Sequence, residues 1–263
     1  MRTTIENLYK NANYTQSEFV MLVGYSFIVA FLLSFTGWGA NGVYDRSIGL
    51  QNLLLHFIIS LFVIFIFTYI QKIVSVFVGI RVSHDVSWIF LLASILLCFV
   101  TRGNVIIFIP PSLLIHSQER LQIGRKPFGL TIKNLRVFAL VPIVVLVLIA
   151  VFFSEVVPLT HQISSAFFWT CFLTALYSLI PIEFIVNLFL LPARSKLPEN
   201  VNTRGTSLGS ILFYGSRMNL IFALGFIVCS LISLVITGFW FVTIFAFLIT
   251  FFITAIYFVK VEL

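Results

Sequence analysis

The sequence is short of charge. Only 10% of its 263 residues are Asp, Glu, Lys or Arg, against roughly 25% in an average soluble domain. It is also short of cysteine. Cys98, Cys171 and Cys229 are its three thiols, all inside apolar runs and none in a C-x-x-C pair, which excludes a disulfide framework and a zinc ribbon. Four histidines are present, and no two of them stand in an H-x-x-x-H pair. A helical zinc site wants two such ligands on one face and a third from elsewhere, so no metal and no cofactor are expected. G-x-S-x-G, G-x-x-x-x-G-K-[ST] and G-x-G-x-x-G are all missing, which removes the readable nucleophile and nucleotide-binding motifs. Residues 1–17 are polar and lack the apolar core of a cleavable signal. Internal repeats are missing too, so an inverted-repeat transporter has little basis.

What is there in quantity is apolar side chain. Sixty percent of residues are hydrophobic, with 31 Phe. They fall in runs long enough to cross a bilayer, which takes ~20 helical residues. The runs predict an all-α multi-spanning membrane protein of about six transmembrane helices plus a re-entrant hairpin. The spans are near Glu18–Trp38, Leu50–Gly79, Val137–Val157, Ile163–Leu191, Leu208–Ile236 and Phe239–Tyr257. The domain reading is a cytoplasmic segment, 1–17, and a single transmembrane domain, 18–263. The stretches 39–49 and 81–87 read as polar loops, and Ser17-Glu18 as the start of the first helix. The net charge of +7 sits beside apolar segments. That points to topology and anionic lipid head groups as partners, and away from nucleic acid.

The hairpin is predicted over 88–115. Trp88–Val100 is apolar but is too short to cross, Thr101-Arg102-Gly103-Asn104 breaks it, and VIIFIPPSLLI follows. The double proline removes backbone donors and opposes a helix. Counting basic residues agrees. With both termini cytoplasmic and 88–115 re-entering from that side, the clusters at Arg120, Arg125, Lys126 and at Arg194, Lys196, Arg204 all face in.

Polar groups at depth are costly and rare, so each is a candidate contact. They are His56, Lys72, Glu183 and Asn187, with Gln71 beside Lys72. His56 reads as an interfacial histidine and Lys72 as a side chain snorkelling to the membrane edge. Glu183 reads as a carboxylate paired with a basic residue at the inner interface. His84-Asp85 and His116-x-x-Glu119 are pairs without a third ligand, and both read as surface residues.

The segment order resembles the archaeal-type site-2 intramembrane metalloproteases. Phe67 to Gly79 resembles that family's H-E-x-x-H helix in length and in Lys72 and Gly79. Residues 88–115 are similar to its short helix, break and proline-ended strand. Tyr177 to Ile182 and Ser207 to Ser210 resemble its later motifs, with Ser178 in place of an asparagine. On that register the zinc-binding and base positions are Phe67, Thr68, Gln71 and Leu208. Phenylalanine and leucine cannot ligate zinc, and threonine cannot act as the carboxylate base. The resemblance therefore implies a pseudoprotease with no catalytic residue and a groove kept as a dock for other integral membrane proteins. The expected role is a non-catalytic membrane scaffold or accessory subunit of a larger complex. Two alternatives stay open: a transporter or channel component, and a lipid-modifying membrane enzyme that uses the basic loops.

Overall fold

The computed structural model describes residues 13–40, 43–78, 80–117, 132–156, 162–181, 207–215 and 221–228. The expected last span, most of the span from Leu208, the loop 192–206, and Glu183, Asn187 and Glu119 lie outside the described residues.

Helix α1 runs Gln16–Ser34. It starts one residue earlier than Ser17-Glu18 suggested, because Thr15 is its cap: the Thr15 hydroxyl oxygen accepts the Glu18 amide at 3.3 Å. Thr-Gln-Ser-Glu has the capping-box spelling, but the Glu18 carboxylate turns inward instead of closing the box. A 3-10 turn (Phe35–Gly37) ends the expected first span, and a small antiparallel ladder of β1 (Gly39–Ala40) and β2 (Val43–Tyr44) follows within the expected loop. Asp45 then starts helix α2, Arg46–Val78, by accepting from the amides of Ser47 at 2.8 Å and Ile48 at 3.4 Å. The Ser47 hydroxyl, which donates to the same oxygen at 2.8 Å, and these two amides hold the Asp45 carboxyl below its usual range.

Gln16–Gly37 and Arg46–Phe77 are long and apolar enough to cross a membrane by length and composition. With 33 residues, α2 is the longest of the described helices. At 1.5 Å per residue it reaches ~50 Å, well beyond the ~30 Å of hydrocarbon. It packs antiparallel to α1: the Ser60 hydroxyl donates to the Ser26 carbonyl at 2.9 Å midway, and Lys72 meets Glu18 at the other end. Large apolar side chains remain outward on every long face, Val100 at 82% and Ile89 at 79% exposure among them. Water does not favour such a surface, and contiguous apolar patches of this kind mark membrane or partner contact.

After α2 the chain turns back on itself. Strand β3 (Ile80–Asp85) pairs antiparallel with β4 (Ser112–Ser117), from Ile80↔Ser117 to Asp85↔Ser112. The loop expected at 81–87 is therefore a strand through Asp85. Its alternation explains why: Ile80, Val82 and His84 are buried, Arg81 and Asp85 exposed. Helix α3 (Trp88–Val100) leaves from this sheet. The turn at Thr101 to Asn104 follows, with Arg102 and Gly103 both at positive φ, and an extended stretch returns to β4. Because Asp85 and Ser112 are paired, residues 86–111 depart from and return to one place. Their tip reaches far. A Cβ on Gly103 would lie 2.7 Å from Thr36 Cγ2 and 2.8 Å from Phe35 Cδ1, so the turn packs at the opposite end of α1. Glycine answers both demands there, the left-handed φ and the close approach.

Helix α4 (Ile132–Val156) begins earlier than the expected Val137, and α5 (Gln162–Ser178) packs antiparallel to it. Gln162 Nε2 donates to Asn52 Oδ1 at 2.7 Å, and Asn52 Nδ2 donates to the Gly37 carbonyl at 2.6 Å. The start of α5 thus shares the end of the bundle that carries the α1–α2 connection. Helix α6 (Leu208–Gly215) is capped by Ser207, whose hydroxyl accepts the Ser210 amide and donates to the Ile180 carbonyl. Gly209 lies flat on the break after α5: a Cβ there would sit 2.1 Å from the Leu179 carbonyl oxygen.

These last contacts make a testable pair. Gly209→Ala must displace the Leu179–Ile180 backbone and is expected to destabilise by about 1–3 kcal/mol. Gly225→Ala, in the helical segment 221–228 with nothing within 4 Å of the new carbon, is expected to be neutral or to stabilise by up to about 1 kcal/mol. Thermal unfolding of the two variants in one detergent checks both signs.

Candidate functional site

The most polar place in the described interior lies where α1, α2 and β3 meet. Glu18, 3% exposed, is on the first turn of α1; Gln71 and Lys72 are two turns before the end of α2; His84 is on the inward face of β3. Glu18 Oε2 accepts from Lys72 Nζ at 2.7 Å. Glu18 Oε1 accepts from the His84 amide at 3.0 Å and lies 2.7 Å from His84 Nδ1. His84 Nε2 lies 2.6 Å from Gln71 Oε1. Lys72 Nζ also donates to the Asn13 carbonyl at 3.0 Å and sits 4.1 Å from the centre of the Tyr14 ring. The Tyr14 hydroxyl pairs with Thr68 Oγ1 at 2.9 Å.

Each of these positions follows from local sequence. The capping of α1 at Thr15 sets the rotation that turns Glu18 inward. The helical period puts Thr68, Gln71 and Lys72 on one side of α2. The two-residue period of β3 turns His84 to the same face as Ile80 and Val82.

The charges of the set offset one another. Both Glu18 oxygens, the His84 amide and both His84 ring nitrogens have partners, and the ammonium is neutralised where it is 2% exposed; Gln71 Nε2 has no hydrogen-bond partner among the described residues. Desolvation by burial holds His84 below the ordinary histidine range; the Glu18 carboxylate opposes this and the Lys72 charge adds to it. Burial pushes the Tyr14 phenol up to about 12, so it is a neutral partner for Thr68 and Lys72.

Several expectations change here. Lys72 does not snorkel; it is buried and ion-paired. His84 is not a surface residue, although its neighbour Asp85 is exposed. Asn13 and Tyr14, from the polar stretch before α1, take part in the cluster as well. Sequence reasoning took Glu18 only as a helix start and His84 only as a surface residue, and passed over Tyr14. The signals were the acid in a Thr-x-x-Glu cap and the histidine in an alternating Ile-x-Val-x-His run.

The positions singled out by the family register divide in two. Phe67 and Leu208, 1% and 4% exposed, share one apolar core with Phe138, Leu179 and Phe226. Thr68 and Gln71 face the polar cluster, where the Thr68 hydroxyl also donates to the Ile64 carbonyl at 2.9 Å. His56 is half-buried on α2, and its Nδ1 has no hydrogen-bond partner among the described residues. Among the described residues no three His, Cys, Asp or Glu side chains gather as a metal site would need. Comparison with known protein families, with curated proteins and with solved structures finds no match.

Removing one partner of a buried ion pair strands the other. Lys72→Met is therefore expected to destabilise by about 3–5 kcal/mol. Adding Glu18→Gln removes the stranded charge, and the double variant is expected to be less destabilised than the sum of the single ones. Equilibrium unfolding of the four proteins of this cycle tests it; strict additivity would show that the pair is not coupled.

Proposed function

We propose that the chain is an integral membrane protein of about six spans and one re-entrant hairpin, with both termini cytoplasmic. Its role is that of a non-catalytic scaffold or accessory subunit of a larger membrane complex, a pseudoprotease relative of the site-2 proteases. One observation carries the non-catalytic reading. Every position where that family would hold its metal ligands or base is used for packing or for internal hydrogen bonding. Phe67 and Leu208 close an apolar core, Thr68 is taken by Ile64 and Tyr14, and Gln71 is taken by His84. The charged groups beside them are spent on one another.

The family reading is supported by three juxtapositions. The segment 88–117 runs as helix, turn, extended stretch and strand. The two later stretches quoted for the resemblance touch, Gly209 against Leu179 and Ile180. The first and last register positions, Phe67 and Leu208, fall in one core. The scaffold reading rests on the outward apolar faces of α1, α2 and α3, which lipid and partner helices would share.

Solubilised gently from its own membrane, the chain is expected to co-purify with a second integral membrane protein at a fixed ratio through two unlike chromatographic steps. Recovery of the chain alone at every step would sink the subunit reading. Elemental analysis is expected to find zinc, iron and copper far below one per chain, and about one equivalent of any of them would sink the pseudoprotease reading. For topology, single cysteines placed by Gly42→Cys and Thr203→Cys are expected to label from opposite sides of sealed vesicles. Asp85→Cys and Ser112→Cys are expected to label from the side of Thr203→Cys.

A further inference from the structure

The cluster of Glu18, Gln71, Lys72 and His84 has one contact that its heavy atoms alone do not explain. His84 Nε2 and Gln71 Oε1 are 2.6 Å apart. A bare ring nitrogen and an amide oxygen are both acceptors, so a proton must lie between them or the amide must present its nitrogen instead. The other ring nitrogen is already assigned. Nδ1 lies 2.7 Å from a carboxylate oxygen that only accepts, so Nδ1 carries a proton. The contact at Nε2 therefore has two solutions. In one, His84 is an imidazolium that donates to both Glu18 Oε1 and Gln71 Oε1. In the other, His84 is neutral, and Gln71, turned by half a rotation about its last bond, donates from its Nε2.

We propose that this junction is a proton-operated switch, in which His84 takes up or releases a proton at Nε2 and the Gln71 amide rotates with it. The proton is exchanged with water, and no other group changes its bonding. The amide is free to turn because its Nε2 has no hydrogen-bond partner among the described residues, so the rotation breaks no third contact. The ring is not free to withdraw, because the His84 backbone amide is tied to Glu18 at 3.0 Å.

Among the described residues, the groups facing His84 are few. From α1 there is Glu18, and from α2 there are Gln71 and Lys72; Tyr14 stands on the far side of Lys72. From β4 the residue opposite is Leu113, which is apolar, and on β3 the charged neighbours Arg81 and Asp85 lie on the exposed face. Glu18 and Lys72 cancel, so proton uptake takes the cluster from neutral to a single positive charge. Burial opposes that charge, and Lys72 opposes it further.

The sign of the stability change follows. The unfolded chain binds the proton at the ordinary histidine pKa of about 6.5, and the folded chain binds it only at lower pH. Folding is thus fully favoured above the ordinary value. Stability is lost as the pH falls from there towards the lowered value of the native state. What the proton acts on is the pinning of β3, and through β3 the base of the hairpin 86–111.

Nitrogen NMR of the full-length wild-type chain, labelled at histidine and glutamine in lipid nanodiscs, tests this without a variant. At pH about 8 the His84 ring is expected to show one protonated and one bare nitrogen. On acidification Nε2 is expected to become protonated with a midpoint below about 6.5, and the Gln71 side-chain amide signals are expected to shift with the same midpoint. Three results would each overturn the proposal: a His84 ring already doubly protonated at the start, a ring that stays neutral while the chain stays folded, or a Gln71 amide that does not follow it. Gln71→Glu supplies the same volume with a fixed acceptor and a second negative charge. It is expected to raise the proton affinity of His84 at least tenfold, one pH unit in the midpoint. An unchanged midpoint in that variant would also overturn the proposal.

Discussion

One carboxylate holds three elements together. Glu18 faces a helix through Lys72 and a strand through both the backbone amide and the ring of His84. An isolated buried carboxylate is expensive, and it is tolerated only when paired and hydrogen-bonded. The converse is that α1, α2 and β3 have few other arrangements that satisfy it. A rotation of α1, a slip of β3 by one residue, or an unwinding of the last turns of α2 each leaves a charge without its partner. A buried ion pair adds little net stability compared with apolar packing of equal volume. Its contribution here is to register, in a bundle whose helices otherwise offer mainly Phe, Leu, Ile and Val to one another.

The length of α2 gives that junction its place. A helix of ~50 Å overshoots the hydrocarbon by ~20 Å. Its final turns, with Gln71, Lys72 and Ser75, can therefore sit at the head-group level, where polar atoms cost less than at the centre. The sheet of β3 and β4 is packed against those turns. Its two strands pair with one another, and the His84 amide is tied to Glu18. The core is correspondingly split. One apolar cluster joins α2 to α4, α5 and α6 through Phe67, Phe138 and Leu208. The other joins α1, α2 and α3 through Leu22, Ile64 and Leu91.

Much of the hairpin was legible in the sequence, and its reasons are local. The run Trp88–Val100 is bounded by Ser87 and by Thr101-Arg102-Gly103-Asn104, and residues 110 and 111 forbid a helix. The helix of α3 and the turn after it follow from those residues alone. The strand β3 was not legible as a strand, because RVSHDVS is polar in composition. Only alternation with buried partners on one face makes it one, and that depends on where β4 lies. The site was harder still. Glu18 looks like a helix-start acid and His84 looks solvated, and each is where it is because of residues far away along the chain. Spacing in sequence carries no sign of a contact between 18 and 84. Cap and strand periods show only which way each side chain turns.

The pairing of Asp85 with Ser112 also has a consequence for how the chain is made. β3 leaves the ribosome about 30 residues ahead of β4. At roughly 5–20 residues per second, its ladder partner is missing for about two to six seconds. During that time β3 has Glu18 and α2 beside it but no second strand, and α3 is an apolar helix too short to cross on its own. The early chain must therefore hold α3 as a helix tethered at one end. Its depth in the bundle is settled only when 112–117 arrives and closes the base. Docking of this segment is thus completed only with the downstream sequence, and a pause in synthesis before Ser112 would leave the ladder unpaired.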